Sequence, residues 1–222
     1  MRNFLSSLFF KKKAQTEIIS ALLIVGITVG AVSVAYLWGV PIIQKGQSTN
    51  QIQEAESVMN DIEKAVSDVA QNGGQKSISL NLQGSLEVSE DENSIKYSIL
   101  SKKAGVARTE WVPLNEDDTF GINGTSQNQS IPVYGMDKDA VLIAKSSVLG
   151  DGFVVDYRLV YREVDDLNTK EGYLTILSAV GNNKASGGNV KLTISREPQT
   201  VSTFTSKLGG KLITTKILLS VS

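Results

Sequence analysis

The strongest constraint in this chain is a gap in its charge. From Ile18 to Gln44 there is no Asp, Glu, Lys or Arg. As a helix that run is about 40 Å long at 1.5 Å per residue, more than the ~30 Å hydrocarbon core of a bilayer. A buried core helix does not ordinarily go so far without a charge. A secretory signal has an apolar stretch of only about 7–15 residues, ending at a small-residue cleavage site. The stretch "YLWGVPIIQKG" that closes this run offers no Ala-x-Ala. The apolar segment is therefore expected to stay with the mature protein.

The charges that flank the gap set its direction. Arg2, Lys11, Lys12 and Lys13 are the only charged residues before Glu17. Basic residues at a membrane edge favour the cytoplasmic side, so the chain from Lys45 onward is expected outside. Setting those four aside leaves 18 basic residues against 23 acidic ones, a net of −5. Nothing in that balance points to nucleic acid, and the basic residues lack the aromatic interleaving of a nucleic-acid groove. The 222 residues include no cysteine and no histidine. That excludes disulfides, thiolate or imidazole metal ligands, a cysteine nucleophile and a serine–histidine arrangement.

The stretch "KKKAQTEIISALLIVGITVGAVSVAYLWG", Lys11–Gly39, resembles the amino terminus of archaeal type IV pilins. A short leader ends in a basic run and a small residue, and an uninterrupted apolar helix follows. The resemblance covers residues 11–45. It implies a leader of residues 1–14, removed by a membrane prepilin peptidase between Ala14 and Gln15. It implies assembly of the mature chain into a surface filament by a membrane platform and its ATPase. The Gly-Ile-Gly run of archaellins, followed by Thr, is absent, which favours an adhesive pilus over a rotary filament. Related bacterial pilins carry a glutamate at the fifth mature position; this chain departs from that, its only candidate, Glu17, standing third after the cut. A carboxylate there has two readings. It could meet the new amino group of a neighbouring subunit, or it could sit among headgroups and favour the helix start.

Small residues recur four apart along the apolar run: Gly26 and Gly30, then Ala31, Ala35 and Gly39. Each set makes a narrow strip that lets helices approach closely where lipid removes the ordinary hydrophobic drive. Glycine and alanine are also simply frequent in membrane helices. Gly39 and Pro41 are expected to weaken or bend the helix. Beyond them Ile52, Ala55, Met59, Ile62, Val66 and Val69 recur every three or four residues, with Gln51, Glu54, Asp61, Lys64 and Asp68 opposite. That pattern predicts an amphipathic helix of about six turns, stopped by Asn72-Gly73-Gly74.

From Lys76 the period becomes two. "SISLNL" (Ser77–Leu82), "SIKYSIL" (Ser94–Leu100) and "FVVDYRLVYREV" (Phe153–Val164) alternate apolar with polar. Further strand-like runs are Val141–Ala144, Tyr173–Val180, Val190–Ser195, Val201–Lys207 and Leu212–Val221, with turns at Glu90–Asn93 and Gly209-Gly210. The expected fold is α+β. A long helix (residues 15–44 apolar, 45–74 amphipathic) precedes an antiparallel β-sandwich or partly open β-barrel over residues 75–222. Asn115–Ser130 reads as a polar loop holding two glycosylation patterns, at Asn123 and Asn128. Both are expected to carry glycans in the native protein; an intact mass equal to the bare chain from Gln15 would refute this.

The acids cluster as Glu90-Asp91-Glu92, Glu116-Asp117-Asp118, Asp137 with Asp139, and Asp165-Asp166. None has the spacing of a calcium loop, and solvated turns account for them. No phosphate loop or dinucleotide fingerprint is present. The residues thus point to a structural, self-assembling surface protein that is not an enzyme, has no catalytic residue or metal ligand and needs no cofactor. A membrane-anchored surface protein that never polymerises is the nearest rival. An anchored carbohydrate-acting enzyme is the rival from another class, and it would need two carboxyl groups facing each other across a cleft.

Overall fold

A computed structural model describes residues 2–106, 110–114, 139–166 and 168–222, and gives only the backbone of residues 2–17 and 45. The fold is the expected α+β arrangement. Helix α1 (Arg2–Asn72) precedes strands β1 (Gln75–Ser89), β2 (Ser94–Ser101), β3 (Val112–Pro113), β4 (Ala140–Leu149) and β5 (Gly152–Tyr161). After them come β6 (Val164–Asp165), β7 (Gly172–Ala179), β8 (Lys184–Arg196), β9 (Thr200–Thr205) and β10 (Lys211–Val221). The chain divides into two compact units, Met1–Gln47 and Ser48–Ser222.

The helical backbone runs through Gly39 and Pro41, so neither residue ends it. Proline there removes only the hydrogen bond to Leu37, and the bonds of the turns on either side hold the helix together. It ends where the sequence says it should. Gly73 and Gly74 take left-handed φ values of 75° and 85°, and Gly73 N–H donates to Val69 O at 2.9 Å. Arg196 reaches across from β8 and donates through Nη1 to Ala70 O at 2.7 Å. A cation thus satisfies carbonyls at the negative end of the helix.

In the second unit one apolar face of the helix is the core. Ala55, Met59, Ile62, Val66 and Val69 are buried in a single cluster with Leu86, Ile95, Leu159, Leu192, Ile194, Ile217 and Leu219 from the sheet. The strands form one sheet of order β3-β4-β5-β2-β1-β8-β10-β7-β6, with β9 paired to β10. It is open and mostly antiparallel, the exception being the parallel pair β7–β10. The helix supplies what a second sheet would supply in a sandwich. The single strand expected over Phe153–Val164 divides at Arg162. β5 pairs with β2 and β4, whereas β6 pairs with β7.

The turn Glu90–Asn93 does more than reverse the chain. Asn93 holds φ 46°, a conformation that asparagine tolerates better than most residues. Its Nδ2 donates to Thr175 O at 2.7 Å and to Tyr161 O at 3.1 Å. Its Oδ1 accepts from Leu177 N–H at 2.8 Å. Two residues on, Ala179 N–H donates to Glu90 Oε1 at 2.5 Å. Side chains of one turn therefore satisfy alternate amides along β7, and Asn93 joins β5 to β7 although four strands separate them in the sheet.

Asp165 corrects the expectation of solvated acids. It is buried, and among the described residues neither carboxylate oxygen has a hydrogen-bond partner within ordinary distance and angle. Burial and the neighbouring Glu163 carboxylate push its pKa up to about 6, while Lys207 and Ser206 pull the other way. Asp166 beside it behaves as expected of a turn acid, accepting from Asn168 N–H at 2.9 Å and Thr169 Oγ1 at 3.0 Å. A raised folded-state pKa means that protonation favours the fold. This contribution is complete below the ordinary carboxyl pKa near 4 and is lost as pH rises through about 6. Asp165→Asn is therefore expected to be more stable than wild type at pH 7.5, by up to about 3 kcal/mol. The gap should close by pH 4. Paired thermal melts across that range measure it, and a gap that does not change with pH would mean that Asp165 is not the titrating group.

Candidate functional site: the exposed apolar helix

Within the first unit the apolar stretch is exposed among the described residues. The helix from Ile18 holds an 18-residue window of mean hydropathy 2.5 that is 0% buried. Ile18, Leu22, Ile24, Ile27, Val32 and Leu37 each expose more than half of their surface. Soluble proteins do not leave apolar patches of this size in water. By length and composition the segment can cross a bilayer.

The polar side chains within the stretch are managed accordingly. Thr28 Oγ1 donates to Ile24 O and Ser33 Oγ to Val29 O, each at 2.8 Å. Both hydroxyls are satisfied by the carbonyl one turn back, so neither needs water or a partner. Tyr36 and Trp38 project at the end nearer the β-domain in sequence, 69% and 75% exposed. Their position fits the aromatic belt at a membrane–water boundary. The charge pattern alone passed over them; an aromatic pair at the end of an apolar run is the signal that finds them.

The small-residue strips lie open. A Cβ built on Gly26, Gly30 or Gly39 meets nothing within 4 Å, and Ala31 and Ala35 are exposed. Successive helical residues are about 100° apart, so the Gly26–Gly30 strip and the one that starts at Ala31 face different directions. One helix thus offers two narrow contact faces. Lys11, Lys12, Lys13, Ala14, Gln15 and Glu17 follow one another in the helical backbone, and their side chains lie outside the described residues. So do Asn123, Asn128, Glu116-Asp117-Asp118, Asp137 and the rest of the Asn115–Ser130 segment.

The β-domain has two polar hollows. One, of about 390 Å³, is lined by Ser67, Gln71, Thr175, Gln199 and Thr215 around a single acid, Asp139. The other, of about 360 Å³, lies on the outer face of the sheet beside Trp111. It holds Glu92 and Asp156, and both are charge-paired. Glu92 meets Arg158 and Lys96, and Asp156 faces Lys145 at 3.9 Å. Lys145 Nζ stands 4.6 Å from the centre of the Trp111 ring, whose apolar body packs on Val141, Ile143 and Val160. Burial lowers the pKa of Arg158. On the helix, burial raises the pKa of Glu56, an effect its bond to Tyr157 partly offsets. Among the described residues no group of three or more carboxylates is placed to hold a metal ion.

Residues 13–119 match the model of a family of unknown function (DUF7289). That stretch is just under half of the chain and runs from Lys13 through the apolar helix and the first strands. No curated protein and no solved structure is significantly similar to the chain.

Proposed function

We propose that the chain is a structural subunit of an archaeal type IV pilus-like surface filament, used for attachment. The observation that carries this reading is the exposed apolar helix, with two strips of small residues on different faces. A helix with two such faces can touch neighbours on two sides, which makes a polymer where one face would make a dimer. The continuation of the same helix is the core of a β-rich domain. In a filament the apolar segments would pack together at the centre and the domains would form the wall. The chain's partners are then itself, a prepilin peptidase, and a membrane platform with its ATPase. Before assembly it is held in the membrane with the β-domain outside.

The anchored enzyme is disfavoured by what the acids do. Glu92 and Asp156 are committed to ion pairs, and Asp165, whose pKa is raised as a general acid requires, is sealed from solvent. The anchored protein that never polymerises shares the helix but needs no leader removal. Processing therefore tests the proposal. Surface protein sheared from cells is expected to begin at Gln15 on amino-terminal sequencing, and Ala14→Glu is expected to block that cut. A surface protein beginning at Met1, or beyond Lys45, would overturn the proposal.

A further inference from the structure

We infer that the tip of the β4–β5 hairpin is a second membrane contact, resting on the lipid surface beside the helix that anchors the chain. The hairpin turns at Leu149-Gly150-Asp151-Gly152, with Gly150 at φ 56°. Its apolar side chains point into solvent: Val148 is 72% exposed, Leu149 57%, and Leu100 on the adjoining end of β2 67%. Phe153, paired with Val148 and with Ser101, lies half-buried behind them. Alternation along β4 places Leu142, Ala144 and Ser146 in the interior. Val148 continues that row past the end of the core, where none of the described residues covers it. An apolar cluster on a hairpin tip has no folding role and weakens solubility unless something meets it.

Two further observations identify what meets it. Lys102 and Lys103 follow β2 directly and are exposed beside Leu100. The unit from Ser48 onward carries 17 basic and 22 acidic residues, so adjacent lysines against a leucine run counter to its general charge. Asp151 is the one acid in the turn itself. Apolar side chains flanked by lysines are the composition that binds an anionic lipid surface. The tip also lies beside Gln51, which lines the same shallow cleft as Leu100, Leu149 and Phe153. Gln51 is seven residues from Gln44, the end of the uncharged run. Seven residues span about 11 Å as helix and at most about 25 Å extended. Gln51, beside the tip, is therefore tethered within about 25 Å of the end of the uncharged run.

The contact rests on the membrane-span reading of the apolar helix and does not require polymerisation. Docked, it would fix the tilt of the β-domain on the bilayer, and a subunit leaving the membrane for a filament would have to release it.

The absence of cysteine makes the test direct, because any introduced cysteine is unique. Full-length chain carrying Val148→Cys, Val32→Cys or Lys184→Cys is labelled with an environment-sensitive fluorophore. It is reconstituted at low density into vesicles of anionic or of zwitterionic lipid that contain a headgroup-level quencher or a mid-chain one. A label at 148 is expected to be quenched severalfold more by the headgroup-level quencher than one at the exposed Lys184 site, and to shift its emission to the blue. In anionic vesicles Lys102→Glu with Lys103→Glu is expected to lower the docked-to-free ratio by about tenfold or more. No quenching at 148, with Val32 quenched from mid-chain, would overturn the contact and leave the span intact. No quenching at either position would overturn both. Shielding of 148 that appears only at high protein density would assign the tip to a neighbouring copy and overturn the lipid contact.

Discussion

Gly30→Leu is expected to abolish filaments while leaving the subunit processed, folded and held in the membrane. The substitution meets no obstacle within the chain, since a side chain at Gly30 enters open space, and leucine is a better helix former than glycine. Any loss must therefore come from contacts between subunits. A leucine on the Gly26–Gly30 strip holds the neighbouring helix away and forfeits close packing along the strip. Each 1.4 kcal/mol lost per contact weakens association about tenfold, and every subunit in a polymer suffers the same loss. Glu17→Ala is the companion variant. It removes the proposed partner of a neighbour's amino group and is expected to reduce filament yield without impairing insertion. Sheared filament yield, set against protein in the membrane fraction, measures both. Normal yield from Gly30→Leu would reduce the strip to ordinary membrane-helix composition, and normal yield from Glu17→Ala would leave Glu17 a role only at the helix start.

Asn93→Ala should be among the most damaging single changes in the β-domain. It deletes three hydrogen bonds at once, to Tyr161 O, Thr175 O and Leu177 N–H, at a residue whose φ of 46° alanine resists. Unsatisfied part-buried groups cost about 1–3 kcal/mol each, and the backbone strain adds about 1 kcal/mol. With part-buried groups at the low end of that range, a loss of about 4 kcal/mol or more would take much of the stability of a domain of this size. Two companions separate the causes. Asn93→Gly relieves the strain but loses the bonds, and Asn93→Asp keeps the acceptor for Leu177 while losing both donations. Denaturant unfolding of the three variants should rank alanine as the least stable. A loss under about 1 kcal/mol for Asn93→Gly would mean that the link between β5 and β7 contributes little.

What could be read in the sequence follows the range of the forces involved. The apolar run and the period of Ile52, Met59, Ile62, Val66 and Val69 are local patterns, and the residues they single out are the exposed and the buried ones respectively. Strand positions were equally legible, because alternation records which side of a sheet each residue faces. Partner choice was not. Nothing near Leu212–Val221 in the chain says that β10 lies between β8 and β7 and runs parallel to the latter. Asn93 and Glu90 read as turn residues, and only the fold shows that β7 passes beside them. Asp165 read as a solvated acid because its neighbour Asp166 is one. Burial of the first and exposure of the second follow from β6 pairing with β7. Leucine and valine at the β4–β5 tip continue a strand pattern, so only the end of the core marks them as uncovered.

The position of β10 also bears on when the domain can form. It is the last of the ten strands to be made, yet it sits inside the sheet with β8 on one side and β7 on the other. Until it emerges, β8 lacks a neighbour on that side and β7 has no main-chain partner beyond the two residue pairs of β6. Ile217, Leu219 and Val221 are missing from the core for the same interval. A chain that enters the membrane amino terminus first would therefore carry its β-domain across the bilayer unfolded. Closure on the far side would then wait for β10, so for a chain exported in this way folding would follow export.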